Sequence, residues 1–343
     1  MLRMVLDAPR ARLRAEHRPL PACSGTEVLI RVAACGVCRT DLHLQDGELP
    51  TATYPRVPGH QVVGEVMAAG PHAALMPGTR VGVPWLASTC GDCRFCRNGQ
   101  ENLCENAHFH GCDVDGGYAT HMLADSRYCI VLDAHLEAAQ ATPLLCAGLI
   151  GFRSLRMAGA ARSIGIYGFG SAAHLITQLA RHEGRRILAF TRPGDTMAQD
   201  FARELGAAWA GGSDEPAPEA LDAALIFAPD GSLVPRALGD IRQGGSVICG
   251  GIHMSDIPAF PYARLWGERQ LRSVANLTRQ DGIDFMQAAA DAGIRAHITT
   301  YPLEQADDAL DDLRAGRISG TAVLLCDEHA QRGAPGLAGE PHG

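Results

Sequence analysis

Four regularly spaced cysteines on one short polar segment constrain the fold of this chain more than any other feature. The segment reads CGDCRFCRNGQENLC, a CxxCxxCx7C array formed by Cys90, Cys93, Cys96 and Cys104. Four thiolates on one loop can surround Zn²⁺ at about 2.3 Å each and leave no position open to a substrate. The spacing therefore predicts a structural zinc site. An iron–sulfur cluster is the alternative, since four cysteines serve both.

A second pattern predicts a nucleotide-binding fold. The stretch IGIYGFGSAAH carries Gly168, Gly170 and Ala173 as GxGxxA between a strand-like and a helix-like segment. The glycines permit a tight turn, and a pyrophosphate can approach the N-terminus of the following helix near Ser171. Strand-like and helix-like stretches alternate from about residue 145 to 275, which is typical of a doubly wound parallel sheet.

The rest of the chain indicates a second, β-rich unit. Short β-branched runs separated by glycine and proline turns fill residues 23–140. After residue 280, two helix-like stretches precede a last strand in ISGTAVLL. The closing residues 329–343 are rich in glycine and proline without periodicity, and we expect them to be disordered.

Charge and hydropathy limit the partners of the protein. A net charge of −8 argues against nucleic acid, because neutralising phosphates requires a basic face. No apolar run is long enough to cross a bilayer, and the N-terminus lacks the apolar core of a signal peptide. We therefore expect a cytoplasmic protein whose twelve cysteines bind metal or stay as buried thiols.

Together these motifs resemble the zinc-dependent alcohol dehydrogenases of the medium-chain dehydrogenase/reductase superfamily, closest to the bacterial and yeast-type branch. The resemblance runs from about residue 2 to 326 through CGVCRTDLH, VPGHQVVGEV, CGDCRFCRNGQENLC, PLLCAG, YGFGSAAH and SVANLTRQD. It implies an α/β protein with a GroES-like β-rich catalytic domain and a Rossmann cofactor domain. The implied boundaries are 1–147 and 277–328 for the catalytic domain, 148–276 for the Rossmann domain and 329–343 for the tail.

The resemblance also implies a catalytic zinc, which makes two zinc ions per chain. Its ligands would be Cys38, His60 and Cys146, while Cys35 would be a buried apolar residue. Two thiolates, one imidazole and one open position form the arrangement that a Lewis-acid zinc requires. A redox CxxC is the alternative for the first cysteine pair, but the pair lies on a β-rich run rather than in a thioredoxin-like setting.

Further residues take roles by matching the family's motifs. Thr40 would hydrogen-bond the alcohol oxygen, and His43 would stand at the outer end of a proton relay through the cofactor ribose. Asp41 would accept the second N–H of His60. Arg39 would contact the cofactor pyrophosphate, with a solvated surface arginine as the alternative.

Other positions carry competing interpretations. Arg279 in NLTRQD resembles a second cofactor-phosphate contact, and Trp85 resembles a wall of the substrate pocket, although it fits an ordinary core equally well. His108 and His110 are expected on a surface loop. Gln61 departs from the family, which has Gly-His-Glu where this chain has GHQ. Because an amide carries no charge, we hypothesise a more positive site in which the alcohol ionises at lower pH.

The end of the second strand of the nucleotide fold, ILAFTRPGD, bears on the cofactor. NAD-specific folds place an acidic residue there to bind the ribose 2′-OH. Here Thr191 is followed by Arg192, whose guanidinium can pair with a 2′-phosphate, as in the similar Ser-Arg-Pro turn of NADP-dependent alcohol dehydrogenases. The turn favours NADP(H) over NAD(H). Asp195 offers the alternative contact to a 2′-OH.

These assignments predict a zinc-dependent alcohol dehydrogenase that transfers hydride reversibly between a small alcohol and NAD(P), giving an aldehyde or ketone. A polyol- or threonine-type zinc dehydrogenase is one alternative. Another is a zinc-independent quinone reductase of the same fold, a class that lacks the catalytic zinc ligands. The last is a non-catalytic zinc-stabilised nucleotide-binding protein, which would not need the proton relay. Family members of this length imply a homo-oligomer, a tetramer or a dimer.

Overall fold

The computed structural model describes residues 1–327, which form two large β-sheets and the helices that flank them. The strands of this part are β1 (Leu2–Val5), β2 (Arg14–His17), β3 (Glu27–Val37), β4 (Val62–Ala69), β5 (Arg80–Val83), β6 (Leu86–Ser88), β7 (His108–Phe109), β8 (His121–Asp125), β9 (Ile130–Val131), β10 (Ser163–Tyr167), β11 (Arg186–Thr191), β12 (Trp209–Gly212), β13 (Leu221–Ile226), β14 (Ile241–Cys249), β15 (Gln270–Ser273), β16 (Ile298–Pro302) and β17 (Thr321–Leu325). The α-helices are α1 (Arg39–Asp46), α2 (Arg94–Arg97), α3 (Ala138–Ala141), α4 (Ala147–Met157), α5 (Ser171–His182), α6 (Thr196–Glu204), α7 (Leu233–Asp240), α8 (Arg279–Asp291) and α9 (Ala306–Arg314).

One sheet has six parallel strands in the order β12-β11-β10-β13-β14-β15. Its central strands are continuous apolar runs because helices cover both faces, and every residue of β10 is buried. In such a sheet ligands bind where the strand order reverses, here between β10 and β13. The turn at Gly168 follows β10 directly, so the sheet places it at this reversal.

The other sheet has seven strands in the path β16-β17-β3-β4-β5-β9, with β8 also paired to β3. All its pairs are antiparallel except β16 with β17. The last strand, β17, pairs with β3, with Ala322 opposite Val37. The chain therefore leaves this sheet, builds the parallel sheet and returns to the first one.

The predicted fold class, a β-rich catalytic unit joined to a doubly wound parallel sheet, is confirmed. The predicted disordered tail over 329–343 lies outside the described residues. Within residues 1–327, no helix is long and apolar enough to cross a membrane.

Candidate active site

Three separate segments bring Cys38, His60 and Cys146 together. In the antiparallel pair of β3 and β4, Cys35 lies opposite Val62, so the end of β3 and the start of β4 are neighbours. Cys38 follows β3 and His60 precedes β4; their Sγ and Nε2 atoms are 3.2 Å apart. Cys146 comes just before α4, and the ligand atoms of the three side chains lie within 4.8 Å of one another.

Cys38 is the N-cap residue of α1. Its Sγ accepts the backbone N–H of Thr40 at 3.4 Å, and its own N–H donates to Asp41 Oδ2 at 2.9 Å, which closes a capping box. A hydrogen bond from Cys146, with the charge of His60, holds the pKa of Cys38 well below its usual range against the effect of burial. The helix N-terminus also favours a thiolate here.

Asp41 holds the other side of the His60 ring. Its Oδ1 lies 3.4 Å from His60 Nδ1 and accepts the backbone N–H of Gly59 at 3.2 Å. Burial lowers the pKa of His60, but the charges of Cys38 and Asp41 outweigh that effect and raise it well above its ordinary value. The His60 imidazole thus lies between a buried thiolate and a buried carboxylate. A divalent cation would offset the negative charge of these two groups that the imidazole does not balance.

The cluster fits a catalytic zinc by the chemistry of its donors. Zinc takes cysteine sulfur and histidine nitrogen, and catalytic sites use three protein ligands. Zn–S and Zn–N distances of about 2.3 and 2.0 Å imply a sulfur–nitrogen separation of about 3.5 Å. The observed 3.2 Å between Cys38 Sγ and His60 Nε2 is close to that value.

The four-cysteine loop forms a second cluster between β6 and β7. The Sγ–Sγ distances are 3.5 Å for Cys104–Cys90, 3.5 Å for Cys93–Cys96 and 3.9 Å for Cys90–Cys96. A tetrahedron with Zn–S bonds of about 2.3 Å has edges of about 3.8 Å, so the loop has the size of a zinc site. All four sulfurs lie within 4.8 Å of one another.

Trp85 and Gln61 border the cluster of Cys38, His60 and Cys146. The Trp85 ring lies 6.1 Å from the His60 ring and 4.6 Å from the Phe109 ring, centroid to centroid. Its buried Nε1 has no hydrogen-bond partner among residues 1–327. The Gln61 side chain is fully buried against Gly36, and neither its Oε1 nor its Nε2 has a partner in the same part of the chain.

The expectation that His110 lies on a surface loop is wrong, whereas His108 is exposed as expected. His110 is 2% exposed, and its Nδ1 lies 2.9 Å from the carbonyl oxygen of Pro84. Burial lowers the pKa of His110 to about 4, with a smaller contribution from the charge of His60. The pairing of β6 with β7 turns this residue inward, and the loop sequence carries no sign of that pairing.

Thr40 and His43 lie three residues apart on α1, so they share one face of the helix. Thr40 is buried and His43 is half-buried. The His43 ring contacts two residues that the sequence analysis did not identify, Glu48 and His253. The position of Glu48 depends on a turn at the end of α1, and His253 belongs to the loop after β14.

The glycine turn fits a dinucleotide phosphate. Gly168 has φ 90°, and a Cβ there would come 2.7 Å from the backbone nitrogen of Ala228. Gly170 is the N-cap of α5 without a side-chain cap, and a Cβ on it would enter open space. The first amides of α5 are therefore open to an anion. Ala173 is fully buried, which lets α5 approach the sheet.

Ser171 makes a contact that the sequence did not predict. Its Oγ lies 2.5 Å from Thr321 Oγ1 on β17, so the hydroxyl links the start of α5 to the other sheet. The backbone N–H of Ser171 lies in the first turn of α5, and its predicted contact with a cofactor stays a prediction.

The turn after β11 leaves one charged group unpaired. The hydroxyl of Thr191 is buried, donates within this turn and accepts from Gln199 Nε2 at 3.3 Å. Asp195 caps α6 by accepting the N–H of Ala198 at 3.0 Å. Arg192 is exposed and forms no ion pair within residues 1–327. Its guanidinium is therefore a charged group at the end of β11 without an ion-pair partner in the described residues.

The two predicted phosphate-binding arginines differ in their contacts. Arg39 is exposed at the start of α1 and has no ion-pair partner in residues 1–327. Arg279 forms an ion pair with Glu101 at 3.1 Å, and its guanidinium carbon lies 5.1 Å from the Tyr128 ring centroid. These contacts tie Arg279 to the segment of the four-cysteine loop, and its predicted contact with a cofactor phosphate stays a prediction.

Comparison with known proteins agrees with this arrangement. Residues 24–134 match the alcohol dehydrogenase GroES-like domain family. The chain is 44% identical over 317 residues to the probable alcohol dehydrogenase AdhA of Mycobacterium tuberculosis, an alignment that covers 90% of each protein. It is 32% identical over 336 residues to an alcohol dehydrogenase of Geobacillus stearothermophilus, covering 94% of this chain and 99% of the relative.

A solved structure shares the fold. The structure of CAD from Helicobacter pylori complexed with NADP(H) superimposes with a TM-score of 0.87 at 21% identity, over 95% of this chain and 98% of the other. The chain thus belongs to the zinc-dependent alcohol dehydrogenase family of the medium-chain dehydrogenase/reductase superfamily. The predicted family and the predicted activity, an NAD(P)-dependent alcohol dehydrogenase, are confirmed.

Proposed function

We propose that Cys38, His60 and Cys146 hold the catalytic zinc of this dehydrogenase and that the substrate is a small alcohol or the matching aldehyde or ketone. The observation that carries the proposal is the buried cluster of two sulfurs and one imidazole with Asp41 behind the imidazole. Bound there, zinc supplies a Lewis acid for the substrate oxygen, and the nicotinamide cofactor supplies the hydride chemistry.

The chain's own residues would orient the substrate and move its proton. Thr40 would accept the hydroxyl proton of the alcohol, and His43 would pass it outward, since burial decreases from Thr40 to His43 along α1. Asp41 would hold His60 as the tautomer whose Nε2 faces Cys38. Trp85 would form an apolar wall of the pocket beside His60.

We assign a second, structural zinc to the loop with Cys90, Cys93, Cys96 and Cys104, which makes two zinc ions per chain. The sulfur–sulfur distances support this assignment. For the cofactor we propose a preference for NADP(H) over NAD(H). The unpaired guanidinium of Arg192 supports it, because Thr191 and Asp195 already have intramolecular partners.

We also propose that the chain forms a homo-oligomer. Strand β15 ends the six-stranded sheet and pairs with β14 alone in the described part of the chain. Tyr262 and Trp266, in the segment before β15, are 67% and 64% exposed. An open strand edge beside exposed aromatic side chains favours association with a second copy. A cytoplasmic location stays a prediction.

A substrate panel tests the proposed function. Purified protein would be assayed with primary, secondary and polyhydric alcohols and with both cofactors, before and after removal of zinc by a chelator. We expect cofactor reduction with simple alcohols, loss on chelation and recovery with added Zn²⁺. Higher turnover with polyols than with simple alcohols would favour the polyol-dehydrogenase alternative, and turnover that survives the loss of all zinc would contradict the assignment.

A further inference from the structure

The imidazole of His43 has a carboxylate partner. Glu48 Oε2 lies 2.5 Å from His43 Nδ1. The His43 side chain is 19% exposed and the Glu48 side chain 54% exposed, whereas Thr40 is buried. The three side chains therefore form a series from the protein interior to solvent.

The C-terminus of α1 produces this contact. Gly47 adopts φ 77° and its N–H donates to the carbonyl oxygens of His43 and Leu44. The N–H of Glu48 donates to the His43 carbonyl oxygen at 2.9 Å. This is a Schellman turn, which requires a left-handed residue and reverses the chain over the last helical turn. The reversal returns the Glu48 side chain to the histidine five residues earlier.

The Glu48 carboxylate interacts with Arg314 only through space, without a hydrogen bond or ion pair between them. Within residues 1–327, His43 is its one hydrogen-bond and ion-pair partner. A second carboxylate, Asp46, also faces His43, but Arg314 binds both its oxygens at 2.7 and 2.9 Å. The charge next to the imidazole is thus chiefly that of Glu48.

Two further groups lie around this pair. The His253 ring, from the loop after β14, lies 4.4 Å from the His43 ring, centroid to centroid. His253 therefore approaches His43 from the loop that follows strand β14 of the parallel sheet. Arg10 acts on Asp46 through space rather than by a hydrogen bond. Neither group occupies Nδ1 of His43.

We infer that Glu48 is a positioning residue of the proton relay and acts through His43. By accepting the Nδ1 proton, the carboxylate holds the imidazole with Nε2 unprotonated, so Nε2 is free to take the proton that leaves the alcohol. As one proton arrives at Nε2, one leaves Nδ1 for Glu48 and then for water; reduction of a carbonyl runs the same path backwards. The inference rests on the proposed dehydrogenase function.

A double-mutant cycle tests it. The variants are Glu48→Gln, Glu48→Asp, His43→Gln and the Glu48→Gln/His43→Gln double variant. The control is Glu65→Gln, because Glu65 is a similarly exposed carboxylate with one ion pair, to Arg31 at 3.3 Å. We expect Glu48→Gln to lower kcat about tenfold with KM unchanged, and Glu48→Asp to retain part of the rate. The double variant should be no slower than His43→Gln, since both changes remove one pathway.

Nuclear magnetic resonance of protein with isotope-labelled histidine gives a readout besides activity. We expect an Nδ1 proton on His43 in a charge-assisted hydrogen bond in the wild type, and a weaker hydrogen bond in Glu48→Gln, whose amide oxygen accepts without a charge, but not in Glu65→Gln. Three results would each overturn the inference. They are a His43 that carries its proton on Nε2, a Glu48→Gln variant with wild-type kcat, and a double variant in which the two losses of rate multiply. A wild type that oxidises no alcohol would overturn the dehydrogenase proposal and the inference together, whereas an active wild type matched by Glu48→Gln would overturn the inference alone.

Discussion

Arg279 Nε lies 3.1 Å from Glu101 Oε1, and this ion pair joins the first residue of α8 to the loop that ends at Cys104. The backbone N–H of Arg279 donates to the same oxygen at 3.0 Å. Burial acts to raise the pKa of Glu101, but the bonds from Arg279 outweigh it and the pKa lies below its usual value. The pair thus anchors the four-cysteine loop to the start of α8.

This pair predicts opposite effects for two arginines. Arg279→Ala should lower the free energy of unfolding by about 1–3 kcal/mol, because the Glu101 side chain, 5% exposed, loses its partner. The KM for the cofactor should not change. Arg39→Ala should leave stability unchanged and raise the cofactor KM about tenfold, as expected when a charge-assisted bond to phosphate is lost. Urea unfolding and steady-state kinetics measure both effects. A raised cofactor KM for Arg279→Ala at unchanged stability would instead support the predicted phosphate contact.

The parts of the site that depend on residues close in sequence could be predicted, whereas contacts between residues distant in sequence could not. Gly168 and Gly170 act within one turn, so their pattern alone indicates the nucleotide-binding turn. Arg279 and Glu101 are distant in sequence, and only the fold brings them together. His43 meets Glu48 because of the turn at Gly47, which a motif comparison does not consider.

The same reasoning explains the elements that the sequence pattern left out. Strand β12 has the short, glycine-rich sequence WAGG, and strand β15 has QLRS, which is mostly exposed, so neither has the apolar run of a buried parallel strand. The central strands β10, β11 and β13 do have such runs and lie in the region, about residues 145 to 275, where strand-like and helix-like stretches alternate. Edge strands depend on pairing with a neighbour, which sequence patterning does not report.

The two cysteine clusters should respond differently to the loss of one ligand. We expect two zinc ions per chain in the wild type and one in each of Cys38→Ser, Cys146→Ser and Cys104→Ser. Cys104→Ser should reduce thermal stability most, since a closed four-sulfur site stabilises its loop. The other two variants should remain folded and lose turnover. Metal analysis with circular dichroism checks this, and full activity with one zinc per chain would refute the two-site assignment.

Gln61 offers a test of charge near the catalytic cluster. Its side chain is fully buried without a hydrogen-bond partner in residues 1–327, so Gln61→Glu would add a negative charge at nearly constant volume. That charge disfavours loss of the alcohol proton, so the pH at which alcohol oxidation is half-maximal should rise. Rate profiles against pH for the wild type and the variant measure the shift. A midpoint that is unchanged or lower would contradict the electrostatic argument.

His174 should make stability depend on pH. Its side chain is 1% exposed, its Nε2 accepts the N–H of His297 at 3.2 Å, and burial lowers its pKa to about 4. The unfolded chain therefore binds a proton from about pH 6.5 downward while the folded protein does not, and stability falls as the pH falls towards about 4. The slope from this group is at most about 1.4 kcal/mol per pH unit.

The measurement compares unfolding free energies across that pH range for the wild type and His174→Asn, which keeps an acceptor but does not titrate. The variant should lose stability less steeply as the pH falls. His182→Asn is the matched control, because His182 is exposed on the same helix and should leave the slope unchanged. Equal slopes for the wild type and His174→Asn would show that His174 is protonated in the folded protein.

We expect the residues at the end of β11 to decide the cofactor preference. The Arg192 guanidinium is exposed and unpaired within residues 1–327, whereas Asp195 caps α6. A free guanidinium pairs with a 2′-phosphate through charge-assisted bonds of about 1.5–3 kcal/mol, which corresponds to a preference of tenfold or more for NADP(H).

The double variant Thr191→Asp/Arg192→Ile would remove that charge and add a carboxylate that accepts a hydrogen bond from a ribose 2′-OH and repels the phosphate. We expect the ratio of kcat/KM for the two cofactors to move towards NAD(H) by about 100-fold or more in this variant. Asp195→Asn is the control, since it removes a carboxylate from the same turn and should leave the ratio near that of the wild type. A wild type that prefers NAD(H), or a ratio that moves with Asp195→Asn instead, would assign the ribose contact to Asp195 and refute the role of Arg192.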